Sequence, residues 1–174
     1  MRDEASFVEF AVAVRGRLRR TAYLMCGDWD QALDHVQEGL IRVYVAWPRL
    51  TRAGREYAYA RKAVVSACLD HARRRSSSEV PSEPDADIAS GQDVSETVAL
   101  RTALVSALDD LPPRQRACVV LRYFDDLSVA DTAAVLGCSE GTVKSQTSRA
   151  LASLRSGFSG SPLGEPATEG AVPW

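Results

Sequence analysis

Apolar residues recur at three- and four-residue steps through most of the first 75 residues of this chain, which is the period of an amphipathic α-helix. The pattern predicts three helices, which end near Gly27, Pro48 and Arg75. The residues predicted to face inward are Phe7, Val8, Phe10, Ala11, Val14, Leu18, Ala22, Tyr23 and Met25 in the first helix, Leu33, Val36, Leu40, Val43, Tyr44 and Trp47 in the second, and Tyr59 or Ala60, Ala63, Val64, Ala67 and Cys68 in the third.

A second helical pattern fills residues 111–155. Pro112 and Pro113 stop any preceding helix, and apolar residues then repeat at helical spacing from Arg114 to Phe124. Two further helices are predicted from their end signals, with N-caps at Ser128 and Ser139 and a left-handed glycine at Gly137 between them. Two short helices joined by a tight turn predict a helix-turn-helix, whose second helix lies in the DNA major groove.

The last predicted helix, about Glu140 to Arg155, has two distinct faces. Its apolar stripe consists of Val143, Thr147, Ala150, Leu151 and Leu154, and its polar stripe consists of Lys144, Ser145, Ser148 and Arg149. Hydrogen-bond donors near the start of a recognition helix can reach phosphates and base edges. A helix that only packs on a core would show the same polarity, but the tight two-helix geometry favours DNA reading.

Composition divides the chain further. Residues 76–95 have no periodicity and only acidic charges among serines and prolines, which predicts a flexible linker. The overall prediction is an all-α protein with two small helical domains, 1–75 and 96–156, and a flexible tail over 157–174. The formal net charge of −2 conceals +5 over residues 1–75 and −6 over residues 76–100, an asymmetry that points to nucleic acid.

Several classes of protein are disfavoured. No apolar run is long enough to cross a membrane, and the N-terminus MRDEASFVEF lacks a signal-peptide profile, so a cytoplasmic protein is expected. The four cysteines are far apart without a CxxC motif, which favours buried reduced thiols over a metal site or a disulfide. His35 and His71 have no nucleophile or metal-ligand partner at a useful spacing, so no catalytic residue, metal or cofactor is predicted.

A basic cluster ends the third predicted helix. Arg73, Arg74 and Arg75 follow Arg61 and Lys62 by several helical turns. Such a run is often a solvated face, and cations also suit the C-terminus of a helix. We favour contact with DNA phosphates because the chain has a second DNA-reading domain to share the duplex.

Together these features resemble the bacterial RNA polymerase sigma factors of the extracytoplasmic-function class. The segment DHVQE (34–38), followed by Leu40, Arg42 and Trp47, resembles the polymerase-clamp-binding helix of that family, and AYARKAVVSACLDHARRR (58–75) resembles its promoter-melting helix. Residues 111–155 resemble its upstream-element domain almost throughout, and their sequence is similar to that of the subgroup often labelled the SigE family. The resemblance covers about residues 5–156.

The resemblance implies a transcription initiation factor that binds core RNA polymerase and directs it to promoter DNA, and it leaves open whether an anti-sigma factor binds. It implies polymerase contacts for Asp34, Gln37, Glu38 and Arg42. It implies upstream-element contacts for Lys144, Ser145, Gln146, Ser148 and Arg149, and downstream-element contacts for Tyr57, Tyr59, Arg61, Lys62, Ser66, Arg73 and Arg74.

Some positions keep alternatives open. Tyr57 and Tyr59 suit stacking on an unpaired base or packing at the rim of the core equally well. Ser66 stands where the family commonly has Asn, which weakens its assignment to base capture, and His35 stands at a commonly apolar place. The acidic linker is either a mimic of nascent RNA or a solvated tether. The alternative class is a helix-turn-helix repressor or activator that binds duplex DNA without polymerase.

Overall fold

The computed structural model describes residues 4–50, 55–77 and 96–158, which form helices and turns and contain no strand. In chain order the α-helices are α1 (Glu4–Cys26), α2 (Trp29–Ala46), α3 (Glu56–Ser77), α4 (Glu96–Asp109), α5 (Pro113–Val119), α6 (Val129–Leu136) and α7 (Glu140–Phe158). A 3-10 turn (Trp47–Arg49) follows α2, and a π-helical turn (Val120–Phe124) follows α5. The all-α fold predicted from the sequence is confirmed.

The predicted linker and tail fall mostly outside the described residues. Of the linker, only Ser76 and Ser77 are described, and they extend α3 by two residues beyond its predicted end. Of the tail, only Gly157 and Phe158 are described, as the last residues of α7. The role of the acidic linker therefore stays a prediction.

The N-terminal helices, α1–α3, pack around a shared core that includes Leu18, Val43 and Val64, all fully buried. Gly27 ends α1 with a φ of 75°, a left-handed conformation that favours glycine. Asp28 then caps α2, because its Oδ1 accepts a hydrogen bond from the Gln31 backbone N–H at 2.6 Å. The predicted helix end at Gly27 is confirmed.

The inward face of α2 differs from the prediction. Leu33 and Tyr44, predicted to be buried, are 41% and 50% exposed. The buried positions include the smaller residues Ala32 and Gly39. Helix α2 lies close enough to α3 for Gly39 to contact Val64. Val8 in α1, also predicted to face inward, is exposed. Of the alternatives Tyr59 and Ala60 in α3, Ala60 is the buried one.

The predicted end signals of the helix-turn-helix are confirmed. Ser128 caps α6, with its Oγ accepting from the Asp131 backbone N–H at 3.0 Å. Gly137 follows α6 in the left-handed conformation at a φ of 62°. Ser139 caps α7 by accepting from the Thr142 backbone N–H at 3.1 Å. These local bonds satisfy amides that have no partner inside a helix, and they fix the angle between α6 and α7.

The C-terminal helices, α4–α7, pack directly on the N-terminal helices. One apolar cluster joins the two groups and contains Leu18 and Val64 together with Leu108, Leu111 and Leu121. Helix α1 contacts α4 and the π-helical turn, while α3 contacts α5 and α6. The two groups of helices therefore share an interface, which the sequence analysis did not predict.

His35 predicts a pH dependence of stability. It is buried between α2 and α3, its ring centroid lies 5.1 Å from that of His71, and its Nε2 has no hydrogen-bond partner among the described residues. Burial lowers the pKa of His35 and the neighbouring His71 lowers it further; Arg74 acts in the same direction, while Glu38 and Asp34 oppose it.

Because the pKa of His35 is lower in the folded chain, the unfolded chain binds more protons near pH 6.5. This contribution to stability is therefore present above about pH 6.5 and lost as the pH falls. We expect the free energy of unfolding, measured by urea titration at several pH values between 5 and 8, to fall more steeply with acid in the natural chain than in His35→Gln. Equal slopes in the two proteins would contradict the assignment.

Candidate nucleic-acid and polymerase surfaces

The outer face of α7 presents a row of hydrogen-bond donors. Lys144, Ser145, Ser148 and Arg149 are exposed, and Gln146 is half-buried. On the opposite face Val143 and Ala150 are fully buried against the rest of the C-terminal helices. The structure thus brings the five residues predicted to contact the upstream element to one helix, with their donors held outward by a rigid apolar stripe.

A shallow groove beside these donors contains two residues that the sequence analysis missed. Arg122 and Tyr123, from the π-helical turn, line it together with Lys144 and Ser148. Tyr123 is exposed. The sequence did contain a hint of this role. Tyr123 lies off the apolar face of its predicted helix and directly follows the basic residue Arg122.

The predicted downstream-element residues on α3 fall into two sets. Lys62, Arg73, Arg74 and Tyr59 are exposed, and Ser66 is half-buried. Arg73 donates a hydrogen bond to Asp70 Oδ1 at 2.7 Å, which neutralises part of its charge. These exposed cations form the part of α3 that an anionic strand can reach without any change of the protein.

Tyr57 and Arg61 form the second set and face the C-terminal helices. The Arg61 guanidinium lies 4.6 Å from the centroid of the Tyr57 ring, and that of Arg17 lies 5.0 Å from the same ring. Burial raises the pKa of Tyr57. In this arrangement Tyr57 is half-buried and the Arg61 side chain is buried, while the choice between base stacking and packing for Tyr57 stays a prediction.

Arg61 makes its principal charged contact across the interface. Its Nε lies 3.2 Å from Asp125 Oδ2, and the two side chains are only 8% and 4% exposed. The hydroxyl of Thr21 donates a hydrogen bond of 2.9 Å to the other carboxylate oxygen of Asp125. Asp125 thus joins α1 and α3 to the turn before α6.

The predicted polymerase surface on α2 is accessible. Asp34 and Gln37 are exposed, and Glu38 forms an ion pair with Arg42 one turn later. Large exposed apolar residues, which the sequence analysis did not assign to this surface, accompany them: Leu33, Ile41, Tyr44 and Val45. The signal in the sequence was an excess of apolar residues, which occur on both sides of α2.

An apolar groove continues this surface onto α1. Phe7, Val8, Leu40, Ile41 and Tyr44 line it, with Gln37 and Glu4 as its polar members. Clusters of exposed apolar side chains on a soluble domain usually mark sites of protein contact. The α2 surface therefore combines acidic and amide groups with an apolar area.

The described residues give little support for a metal site, a membrane span or a reactive thiol. No three side chains of the metal-ligating types lie together there, and none of the described helices is both long and apolar enough to span a bilayer. Burial raises the pKa of Cys26 and that of Cys118 to about 11, so both thiols are protonated near neutral pH.

Comparison with known proteins finds matches over both groups of helices. Residues 10–78 match the family described as Sigma-70 region 2, and residues 101–154 match Sigma-70, region 4. The chain is 39% identical to the RNA polymerase sigma-E factor of Streptomyces avermitilis, over 85% of this chain and 84% of that protein. It is 34% identical to the ECF RNA polymerase sigma factor SigM of Mycobacterium tuberculosis, over 79% of this chain and 69% of that protein.

A solved structure has the same fold. The sigma factor RpoE from Bartonella quintana, in complex with the anti-sigma factor NepR, superimposes with a TM-score of 0.71 at 24% identity, covering 89% of this chain and 98% of that one. The two region matches and the long alignments confirm the resemblance seen in the sequence. This chain belongs to the sigma-70 family as an extracytoplasmic-function sigma factor, a transcription initiation factor that directs RNA polymerase to promoters.

Proposed function

We propose that three surfaces of this chain divide the work of initiation. The α2 surface binds core RNA polymerase, α7 reads the upstream promoter element, and α3 holds the downstream element where the strands separate. The observation that carries the proposal is the face of α7, where Lys144, Ser145, Ser148 and Arg149 are all exposed. Val143 and Ala150 on the opposite face are fully buried. Donors so placed suit phosphates and base edges of the major groove.

The α2 surface suits a protein partner. Asp34 and Gln37 can set the orientation of a basic partner surface, while Ile41, Tyr44 and Val45 supply apolar area that a partner would bury. Because polymerase and chromosome share one compartment in bacteria, we place the chain in the cytoplasm. An anti-sigma partner, like the one bound to the Bartonella quintana protein, and the domain limits at residues 75 and 96 stay predictions.

The test separates the polymerase surface from the DNA surface. Core polymerase is purified with the full chain and used to transcribe fragmented chromosomal DNA of the host, and the 5′ ends of the transcripts are sequenced. We expect Arg149→Ala to lower initiation at the preferred start sites about tenfold, the effect of losing one good base or phosphate contact, while co-purification with core is unchanged. Arg15→Ala, which removes an exposed arginine of α1, is the matched control.

The reciprocal variant combines Asp34→Asn with Glu38→Gln, and it should lose co-purification with core polymerase. Asp126→Asn, which removes an exposed carboxylate outside α2, should retain it. If the natural chain neither associates with core nor produces defined start sites, the proposal is wrong. A chain that binds duplex DNA but does not follow core would instead be a repressor or activator.

A further inference from the structure

We infer that His35 makes the binding of core RNA polymerase sensitive to pH, an inference that rests on the proposed role of the α2 surface. The ring of His35 lies beneath that surface, and in acid it becomes a cation that competes with the partner for the carboxylates of Asp34 and Glu38. Because the family commonly has an apolar residue at the place of His35, this sensitivity belongs to the chain itself.

The seam between α2 and α3 encloses the His35 ring. The residue is only 5% exposed, and its Nε2 has no hydrogen-bond partner among the described residues. The centroid of the His71 ring, on α3, lies 5.1 Å away, with 60° between the two ring planes. A proton added at Nε2 would be a buried donor without an acceptor, so nearby carboxylates have to balance its charge.

Charged groups from both helices act on His35. Burial has the largest effect and lowers the pKa of His35, and the neighbouring His71 lowers it further. Glu38 and Asp34, on the same helix, raise this pKa, while Arg74 on α3 lowers it. The two carboxylates of α2 are thus the groups that favour the charged ring.

The other titratable groups at this seam keep their charge state in mild acid. A cleft beside His71 is lined by Cys26 of α1, Cys68 and Arg75 of α3, and Arg116 of α5. Burial raises the pKa of Cys26 to about 11 and also raises that of Cys68, so both thiols stay protonated. The arginines stay charged. Imidazole is therefore the side chain here whose charge changes in mild acid.

Asp34 and Glu38 also supply the negative charge of the α2 surface. Asp34 is exposed, while Glu38 is half-buried and forms an ion pair with Arg42. A basic partner surface that binds these carboxylates uses the negative charge that would otherwise stabilise a protonated His35. The partner and the proton therefore oppose each other, and each lowers the affinity for the other by the same factor.

The direction of the effect follows from this opposition. Bound polymerase lowers the pKa of His35 further, so the complex holds fewer protons than the free chain in mild acid. Affinity for core is therefore greatest where His35 is neutral, above about pH 6.5, and falls with the pH as the free chain takes up a proton. If the pKa is about one unit lower in the complex, the loss of affinity is about tenfold.

The first test measures core binding by the full chain at several pH values. The natural chain, His35→Gln and His35→Leu are labelled with a fluorophore and titrated with purified core polymerase, and circular dichroism checks that each is folded at each pH. We expect equal affinities at about pH 7.5, and at about pH 5.5 a loss about tenfold greater for the natural chain than for either variant. His35→Leu guards against a folding defect in His35→Gln. Equal losses in all three proteins would overturn the inference.

His71→Gln separates titration from a structural role of the seam. Because His71 lowers the pKa of His35, its replacement should move the midpoint of the affinity loss to higher pH. A change of packing alone would alter the affinity at every pH without moving that midpoint. A midpoint at the same or a lower pH in His71→Gln would count against His35 as the titrating group.

A third measurement does not need polymerase. Nuclear magnetic resonance follows the His35 ring protons of the free chain during a pH titration, with the signal assigned by its absence in His35→Gln. Combining Asp34→Asn with Glu38→Gln should lower the midpoint of this titration, while Asp126→Asn should leave it unchanged. An unchanged midpoint in the double variant would overturn the inference, whatever the chain does with polymerase.

The outcomes separate this inference from the proposed function. If the natural chain binds core with the same pH profile as the His35 variants, only the inference fails. If it does not bind core even at about pH 7.5, where His35 is neutral, the proposed function fails first and the inference falls with it.

Discussion

Replacing Gly39 with alanine is expected to lower the free energy of unfolding by about 2–3 kcal/mol, the cost of overpacking a tight contact. A Cβ at this position would lie 2.5 Å from Val64 Cγ2 and 3.1 Å and 3.2 Å from the backbone N and Cα of Val64. The Val64 side chain has no space to move because it is fully buried. The methyl group therefore has to push α2 away from α3.

This expectation is opposite in sign to intrinsic helix propensity, which favours alanine over glycine by up to about 1 kcal/mol. Gly16, in the middle of α1, provides the matched control, because nothing lies within 4 Å of a Cβ built there. Gly16→Ala should therefore raise the free energy of unfolding. Urea denaturation followed by circular dichroism measures both variants, and a stabilised Gly39→Ala protein would contradict the packing described for α2 and α3.

Arg116→Met is expected to cost about 2–3 kcal/mol of stability, because it removes hydrogen bonds from a charged donor to two backbone carbonyls and a carboxylate. The Arg116 guanidinium donates to Asp109 Oδ1 at 2.6 Å, to the Asp109 carbonyl at 2.6 Å and to the Met25 carbonyl at 2.8 Å. Burial lowers the pKa of Arg116, and Asp109 opposes that shift. Methionine keeps much of the volume of the side chain but supplies none of these donors.

The effect should extend beyond the C-terminal helices, because the Met25 carbonyl belongs to α1. Gly27 permits this junction, since a Cβ there would lie 2.4 Å from Asp109 Oδ2. Arg114→Met is the matched control, two residues earlier on α5 and exposed. Thermal unfolding should show a lower midpoint for Arg116→Met and a nearly unchanged one for Arg114→Met, and equal midpoints would contradict the role of the guanidinium.

Local signals in the sequence predicted the helix ends well. The caps at Ser128 and Ser139 and the left-handed turn at Gly137 each depend on side chains and backbone within a few residues. The inward face of α2 was harder, because apolar residues occur on both sides of it. Close approach to α3 places Gly39 against Val64, and helical periodicity contains no information about that approach.

The same distinction holds for the candidate site. The donor face of α7 was predictable because both its stripes lie on one helix, whose burial follows the predicted period. The burial of Arg61 could not be predicted from the sequence, because its partner Asp125 belongs to the other group of helices. In the sequence, Asp125 resembles an ordinary acidic residue of a turn. The apolar part of the α2 surface was missed because Leu33 and Tyr44 were assigned to the core, while Ile41 and Val45 were given no role.

The distance along the chain between Thr21 and Asp125 has a consequence for protein synthesis. Thr21 and Asp125 are 104 residues apart, and α1–α3 precede every residue of the C-terminal helices. A ribosome adds about 5–20 residues per second, so the nascent chain carries a completed α3 for seconds before Asp125 is made. During that interval Arg61 has no carboxylate from the C-terminal helices to pair with, and the contact between the two groups of helices can form only after Asp125 has been made.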